Sequence, residues 1–336
     1  MPTIASAWAS RRTVLLALVL LLGTVSAVLA VRSRAGEPTR PAGLNGGPAA
    51  GAEGPAAPQE AVAGLGPASG SPSASVPSVS ASASAAGSPR GGRMGGKKGV
   101  STYEWGGNPA ALADVRVSWY YNWSPSRDRT PGPATVEFVP MIWGADMVTD
   151  GNLAKAKQNG GALLGFNEPD LREQANMSVE QALDLWPRLQ STGLRLGSPV
   201  VAFGGDTAGG WLDRFMSGAR ARGYRVDFIA LHWYGSDFRA DAATGQLRGY
   251  LQAVYQRYKL PIWLTEYSLI NFSGQPKYPT GADQAAFVRA STAMLSSLLF
   301  VWRYAWFSLP STGDAGTGLY RDDGSPTEAG AAYRSA

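Results

Sequence analysis

Eight short apolar runs, most of them separated by helical patterns, constrain this chain more than any other feature. They are GVSTY (99–103), VRVSWYYNW (115–123), VEFVPMIW (136–143), GALLGFNEP (161–169), LRLGSPVVA (194–202), VDFIALHWYG (226–235), LPIWLTEYS (260–268) and LFVWRYAWFSL (299–309). Val, Ile and aromatic residues are common in them. Most are apolar almost throughout, the pattern of strands covered on both faces. Between them, Ser178 and Gln181 form a capping box ahead of EQALDLWPRLQS, which Gly193 closes. Pro187 inside that segment predicts a kink. Residues 209–223, 243–258 and 282–299 follow the same helical rule, whereas GGNPAALADV after the first run makes a short helix at best. Strand and helix alternating about eight times predict an α/β fold, the (β/α)8 TIM barrel.

Composition sets the boundaries of that barrel. Residues 33–98 contain no Phe, Trp, Tyr or Ile and consist mostly of Ala, Gly, Pro and Ser. Such a segment cannot bury enough apolar surface to offset its ordering entropy, and it reads as a disordered linker. The folded part is then 99–336, about 240 residues, the usual span of a single α/β barrel.

Ahead of the linker, residues 1–32 hold Arg11 and Arg12 followed by an uncharged run from Thr13 to Val31. The core Val14–Leu22 has the length of a signal-peptide h-region, and Val28-Leu29-Ala30 offers small residues for cleavage. As a helix, 14–31 would span roughly 27 Å, near the hydrocarbon thickness, so a signal-anchor fits as well. The paired arginines also match a twin-arginine export signal. Each alternative predicts an extracellular or cell-surface protein, secreted or tethered to the membrane through 14–31.

The net charge of +5 belongs to the N-terminal part. Residues 1–100 carry nine Lys/Arg against three Asp/Glu, which leaves 21 against 22 in the remainder. Nothing there demands a nucleic-acid partner. The chain has no Cys and one His, His232. That excludes zinc sites of the Cys/His type and a Cys nucleophile.

In a (β/α)8 barrel the active site lies at the C-terminal ends of the strands. The polar or aromatic residues ending the eight runs are Glu104, Asn122, Trp143, Asn167-Glu168, the Pro199 turn, His232 with Tyr234, Glu266 and Trp306. Glu168 and Glu266 end the fourth and seventh strands, which face each other across the mouth. Glycoside hydrolysis needs such a pair of carboxyl groups, one to protonate the leaving oxygen and one to attack or to activate water. Asn167 beside Glu168 is placed to bond a sugar 2-hydroxyl.

These motifs, KKGVSTYEW, VSWYYNW, FVPMIW, GFNEPD, LHWYG, WLTEYS and AWFSL in this order over 97–335, resemble glycoside hydrolase family 128, the (β/α)8 β-1,3-glucanases. The resemblance implies a retaining mechanism with Glu168 as acid/base and Glu266 as nucleophile. It implies that Asn167 holds the 2-hydroxyl, that His232 and Tyr234 line the site near the nucleophile, and that Trp306 is a sugar platform. The implied partner is a β-glucan polysaccharide or oligosaccharide, with no metal and no organic cofactor, and the enzyme is expected to act as a monomer. Endo and exo action both remain open. Two other functions fit the same residues: a glucan- or cell-wall-binding barrel with little turnover, and a glycosidase acting on another β-linked polysaccharide.

Several residues also have plain structural explanations. Trp119, Trp186 and Trp263 lie within runs or on helices and read as core. Trp123, at a strand end, is a second candidate for stacking on sugar. Asp170 reads as a turn or helix-cap residue, and RMGGKK (93–98) as the solvated end of the linker.

Overall fold

The computed structural model describes residues 96–311 and 316–336. The hydrophobic segment over 14–31 and nearly all of 33–98 lie outside the described residues. The fold begins slightly earlier than the composition predicts. Lys98 opens β1 (Lys98–Ser101), and its ammonium donates to the carbonyls of Tyr333 and Ala336 at 2.7 and 2.8 Å. Lys97 donates to the carbonyls of Ser296 and Leu298. The two lysines therefore tie the first strand to the C-terminal helical layer and are not a solvated linker end.

The remaining strands are β2 (Trp119–Tyr121), β3 (Glu137–Phe138), β4 (Ala162–Leu163), β5 (Arg195–Leu196), β6 (Ile229–Gly235), β7 (Ile262–Leu269) and β8 (Val301–Trp306). All pairings between them are parallel. They run β3-β2-β1-β8-β7-β6 in one sheet and β4-β5 in another. Parallel bridges Met141↔Leu164 and Gly197↔Phe228 join the two, so the order closes on itself as a barrel.

The helices are α1 (Asn108–Asp114), α2 (Asp150–Asn159), α3 (Val179–Gln190), α4 (Trp211–Ala221), α5 (Ala240–Tyr258), α6 (Gly281–Ser297) and α7 (Glu328–Ser335). The alternation is incomplete, because β2 and β3 are joined by turns alone. The intervening SPSRDRTPGPAT carries three Pro and has no apolar period of 3.6. Elsewhere the local rules hold. Ser178 caps α3 by accepting from the Gln181 amide, and Ala182, Leu183, Trp186 and Leu189 bury one face. The helix runs through Pro187 to Gln190, and Gly193 takes the left-handed conformation beyond it, at φ 72°.

Strand parity divides the core in two, since successive side chains point to opposite faces. Outward residues such as Val100, Tyr120, Ile229, Leu231, Ile262, Leu264 and Tyr304 join one continuous layer with Leu112, Trp186, Phe215, Leu247 and Phe287 of the helices. Inward residues fill the barrel. Near its N-terminal end Phe228 stacks on Trp263 at 4.0 Å, and the Arg303 guanidinium lies over Trp263 at 4.4 Å and Trp119 at 5.5 Å. Arg303 also donates to Glu137 at 2.5 Å. Gly99 must be glycine here, because a Cβ would sit 2.3 Å from the Trp119 indole. This plug leaves the C-terminal end of the barrel for the site.

Candidate active site

The inward positions of β6 are Ala230, His232 and Tyr234, following Phe228 at the strand's foot. By simple alternation β7 would aim Trp263 and Thr265 inward and Glu266 outward, in step with Leu264. A β-bulge prevents this. The β6–β7 register pairs Leu231 with Leu264 but His232 with Glu266, so Thr265 is an extra residue. Its hydroxyl donates to the Leu231 carbonyl. The extra residue re-aims Glu266 into the barrel opposite His232.

Glu168 is positioned by backbone rather than by a long strand. The end of β4 is laced between its neighbours. The Asn167 amide donates to the Trp143 carbonyl, the Glu168 amide to the Val200 carbonyl, and the Val200 amide to the Phe166 carbonyl. Glu168 sits in the left-handed region at φ 44°, and Pro169 follows it. Such a conformation costs about 1–3 kcal/mol for a non-glycine residue and persists where surrounding bonds over-determine it.

The structure brings together Glu168, Glu266, His232, Tyr234, Trp123 and Asn167. His232 Nδ1 is 2.8 Å from Glu168 Oε1, and its Nε2 is 3.2 Å from Glu266 Oε1. The second contact is close but poorly aligned, and it fails the geometry of a hydrogen bond. Glu266 Oε1 accepts from Tyr121 Oη and Trp123 Nε1, both at 2.9 Å, and its Oε2 accepts from Tyr234 Oη. One ligand atom each from Glu168, His232 and Glu266 lies within 4.8 Å of the others, and all three residues are buried. The cluster is compact enough to hold a divalent cation, although two carboxylates and an imidazole serve acid–base chemistry equally well.

Burial sets the proton affinities. It pushes the Glu168 carboxyl above the usual carboxylate range, a shift that Glu266 and Asp170 reinforce and His232 opposes. Burial alone would lower His232, but Glu266 and Glu168 outweigh it and raise the imidazole. Burial and the Glu266 charge hold Tyr121 and Tyr234 well above the usual phenol range, so both remain donors. Asn167 is buried; its Nδ2 donates to Gln174 Oε1 at 3.3 Å, while its Oδ1 has no protein partner. A buried amide oxygen left open beside Glu168 is suited to a sugar hydroxyl.

Trp306 is not brought to the site. It is fully buried on the outer side of β8, against Tyr267 at 5.0 Å, Phe287 and Tyr333, and its indole nitrogen donates to the Thr317 carbonyl. The expected platform is therefore a core residue, because position 306 shares its parity with Tyr304 in the outer layer. The next residue, Phe307, takes the inward position and meets Trp123 and Tyr234 edge-on at 6.0 and 5.7 Å. Glu104, at the end of the first run, pairs with Arg129 at the surface and stays outside the cluster.

Four further residues frame the site. Tyr121 was legible from the two-residue period of WYYNW, which puts it between Trp119 and Trp123. Gln174 and Phe203 lie on loops that no periodicity marks. Asp170 accepts from the Ala202 amide at 3.0 Å, holding the loop after β5 against the loop after β4. That is the turn role expected of it, beside the site. Phe203 is 58% exposed there.

Residues 103–333 match the family model described as "Glycosyl hydrolase catalytic core". The chain is similar to a crystal structure of a subgroup I endo-β-1,3-glucanase of glycoside hydrolase family 128 from Amycolatopsis mediterranei in complex with laminaritriose. Identity is 63%, with 71% of this chain and 98% of that chain covered, at a TM-score of 0.69. A subgroup II endo-β-1,3-glucanase of the same family from Sorangium cellulosum is 30% identical, covering 71% of this chain and 98% of that one, at a TM-score of 0.61. Alkali-sensitive linkage protein 1 of Schizosaccharomyces pombe is 30% identical over 229 residues, 65% of this chain, and the chain spans 40% of that protein's length. With its buried glutamate pair set in a fold that the two glucanases share over nearly their whole length, the chain belongs to the glycosyl hydrolase catalytic core family and is a glycoside hydrolase of family 128.

Proposed function

We propose that the protein is an exported, retaining hydrolase of β-1,3-glucan, with Glu168 as acid/base and Glu266 as nucleophile. One observation carries the mechanism: oxygens of the two carboxyl groups approach within 4.8 Å. Retaining enzymes hold their carboxyl groups about 5–5.5 Å apart, whereas inverting ones need about 6.5–9.5 Å to admit a water between carboxylate and sugar. The substrate rests on likeness. The Amycolatopsis enzyme was crystallised with laminaritriose, and variants of it, each with one of two glutamates replaced, with laminarihexaose and laminaribiose among the ligands. Those two glutamates are separated by almost the spacing between Glu168 and Glu266. Export rests on the hydrophobic N-terminal segment, and internal cleavage on the likeness to subgroup I.

In the first step Glu168 gives its proton to the glycosidic oxygen as that oxygen leaves the anomeric carbon, and a Glu266 oxygen bonds to the same carbon. In the second, water replaces Glu266 there and returns a proton to Glu168. The environments suit these roles. Burial raises the proton affinity of Glu168 against the opposing contact from His232, which favours the acid form. Glu266 accepts three hydrogen bonds, which fix the orientation of its two oxygens. Asn167 supplies the open oxygen for a hydroxyl next to the reacting carbon.

Reducing-end release from laminarin by the wild type and by Glu266→Ala tests the assignment, with mannan and xylan in parallel. Hydrolysis of laminarin alone, abolished in the variant, is expected. Equal activity in both proteins would overturn the assignment. Tight oligosaccharide binding with no product at high enzyme concentration would favour a binding barrel.

A further inference from the structure

His232 lies fully buried between the two glutamates, with Nδ1 in hydrogen-bond contact with Glu168 and Nε2 3.2 Å from Glu266 Oε1, off the hydrogen-bonding axis. A neutral imidazole has one N–H and one bare nitrogen. The glutamates are ionised in turn, so a neutral ring would have to switch tautomers during the reaction to keep its bare nitrogen away from the charged one. The doubly protonated ring turns an N–H toward each without moving a proton. The other groups facing the ring favour the same state. Tyr121, Trp123 and Tyr234 all donate to Glu266, and the Asp170 carboxylate adds negative charge from the β4 loop while accepting from the Ala202 amide.

We propose that His232 is a permanent buried cation, a positioning residue that pairs with whichever of Glu168 and Glu266 is ionised as the negative charge moves between them. The proposal rests on the acid/base and nucleophile assignment above. Before reaction, Glu168 is neutral, His232 is +1 and Glu266 is −1. As the glycosidic bond breaks, the proton of Glu168 goes to the leaving oxygen and Glu266 becomes a neutral ester. Glu168 is then −1, and its Oε1 already faces Nδ1. Water then bonds to the anomeric carbon, the ester bond breaks, and a water proton goes to Glu168. The charge returns to Glu266, beside Nε2. The three groups sum to zero throughout, and no proton leaves the ring. A buried carboxylate therefore has a counter-ion at both ends of its migration, where an unpaired one would be strongly disfavoured.

His232 is the only histidine in the chain, so its ring nitrogens give the only imidazole signals of the protein. The full chain, purified without a histidine tag and labelled with 15N-histidine, can be observed by long-range proton–nitrogen correlation at mildly alkaline pH. The measurement is made free and after trapping with a 2-fluoro laminaribiosyl inactivator. Two protonated nitrogens in both forms are expected. The far-downfield signal of a bare nitrogen in either form would overturn the proposal. Peptide mass spectrometry of the trapped enzyme separates the two claims: a label on a residue other than Glu266 counts against the catalytic assignment, while the free-enzyme spectrum still decides the cation. His232→Gln, which can hydrogen-bond but cannot carry charge, gives a second readout. A fall of at least tenfold in kcat with KM unchanged is expected; an unchanged kcat would overturn the proposal.

Discussion

Glu266 stands opposite His232 in the β6–β7 ladder because Thr265 is one residue too many for that register. Without the bulge Glu266 would follow Leu264 into the outer layer. With it, the carboxylate enters the barrel and meets Tyr121, Trp123, Tyr234 and His232, which come from two other strands and the end of one of them.

The two phenols should matter chiefly through the nucleophile. A hydrogen bond to a charged group contributes about 1.5–3 kcal/mol. Tyr121→Phe and Tyr234→Phe should each lower kcat/KM on laminari-oligosaccharides by roughly ten- to a hundredfold. Their double variant should lose less than the product of the two, since both bonds serve one carboxylate. Steady-state kinetics on the three variants checks this.

Stability should carry the signature of Glu168. Its folded-state proton affinity is raised above the ordinary value of 4.5, chiefly by burial. A carboxyl raised in this way contributes stability that is fully present below the ordinary value and is lost as pH rises through the raised one. Glu168→Gln removes the ionisation, so its thermal midpoint should exceed that of the wild type at about pH 8 and approach it at about pH 4. Calorimetry across that range measures the difference; a gap that widens toward acid would contradict the direction of the shift.

Adjacent aromatic residues at the end of β8 should separate cleanly. Trp306 is core, and replacing such a residue by Ala costs about 3–5 kcal/mol. Trp306→Ala should lower the denaturant midpoint strongly. Phe307→Ala should leave that midpoint nearly unchanged and lower kcat roughly two- to tenfold, the loss of about 0.5–1.5 kcal/mol of ring packing that orients Trp123 and Tyr234.

Phe203 offers a bare ring on the loop that Asp170 holds beside Glu168. An exposed aromatic ring offers a large, stiff apolar face for a sugar to stack on. Phe203→Ala should raise KM for long laminari-oligosaccharides more than for the shortest cleaved one, at unchanged kcat. Kinetics over a chain-length series decides it.

Much of this was legible in the sequence. The near-continuous apolar runs reported the covered strands, and the end of each run pointed to the rim, which put Glu168, Glu266, His232, Tyr234, Trp123 and Asn167 at one mouth. Trp306 is expected at the rim near the end of its run, but parity with Tyr304 turns it outward and brings Phe307 inward. Glu266 shows the converse: parity alone would have turned it outward, and nothing in IWLTEYS marks Thr265 as a bulge. The missing helix between β2 and β3 was foreshadowed by SPSRDRTPGPAT, whose prolines exclude a helical period. Gln174 and Phe203 lie on loops, where no repeat distinguishes a side chain beside the site from a solvated one.

The stereochemistry of the first product tests the account most directly. Proton NMR of laminaripentaose hydrolysis, followed from the first minutes before mutarotation, reads the anomer released from the cleaved bond. The β-anomer should appear first and convert slowly to the equilibrium mixture. The α-anomer appearing first would contradict the double displacement at Glu168 and Glu266.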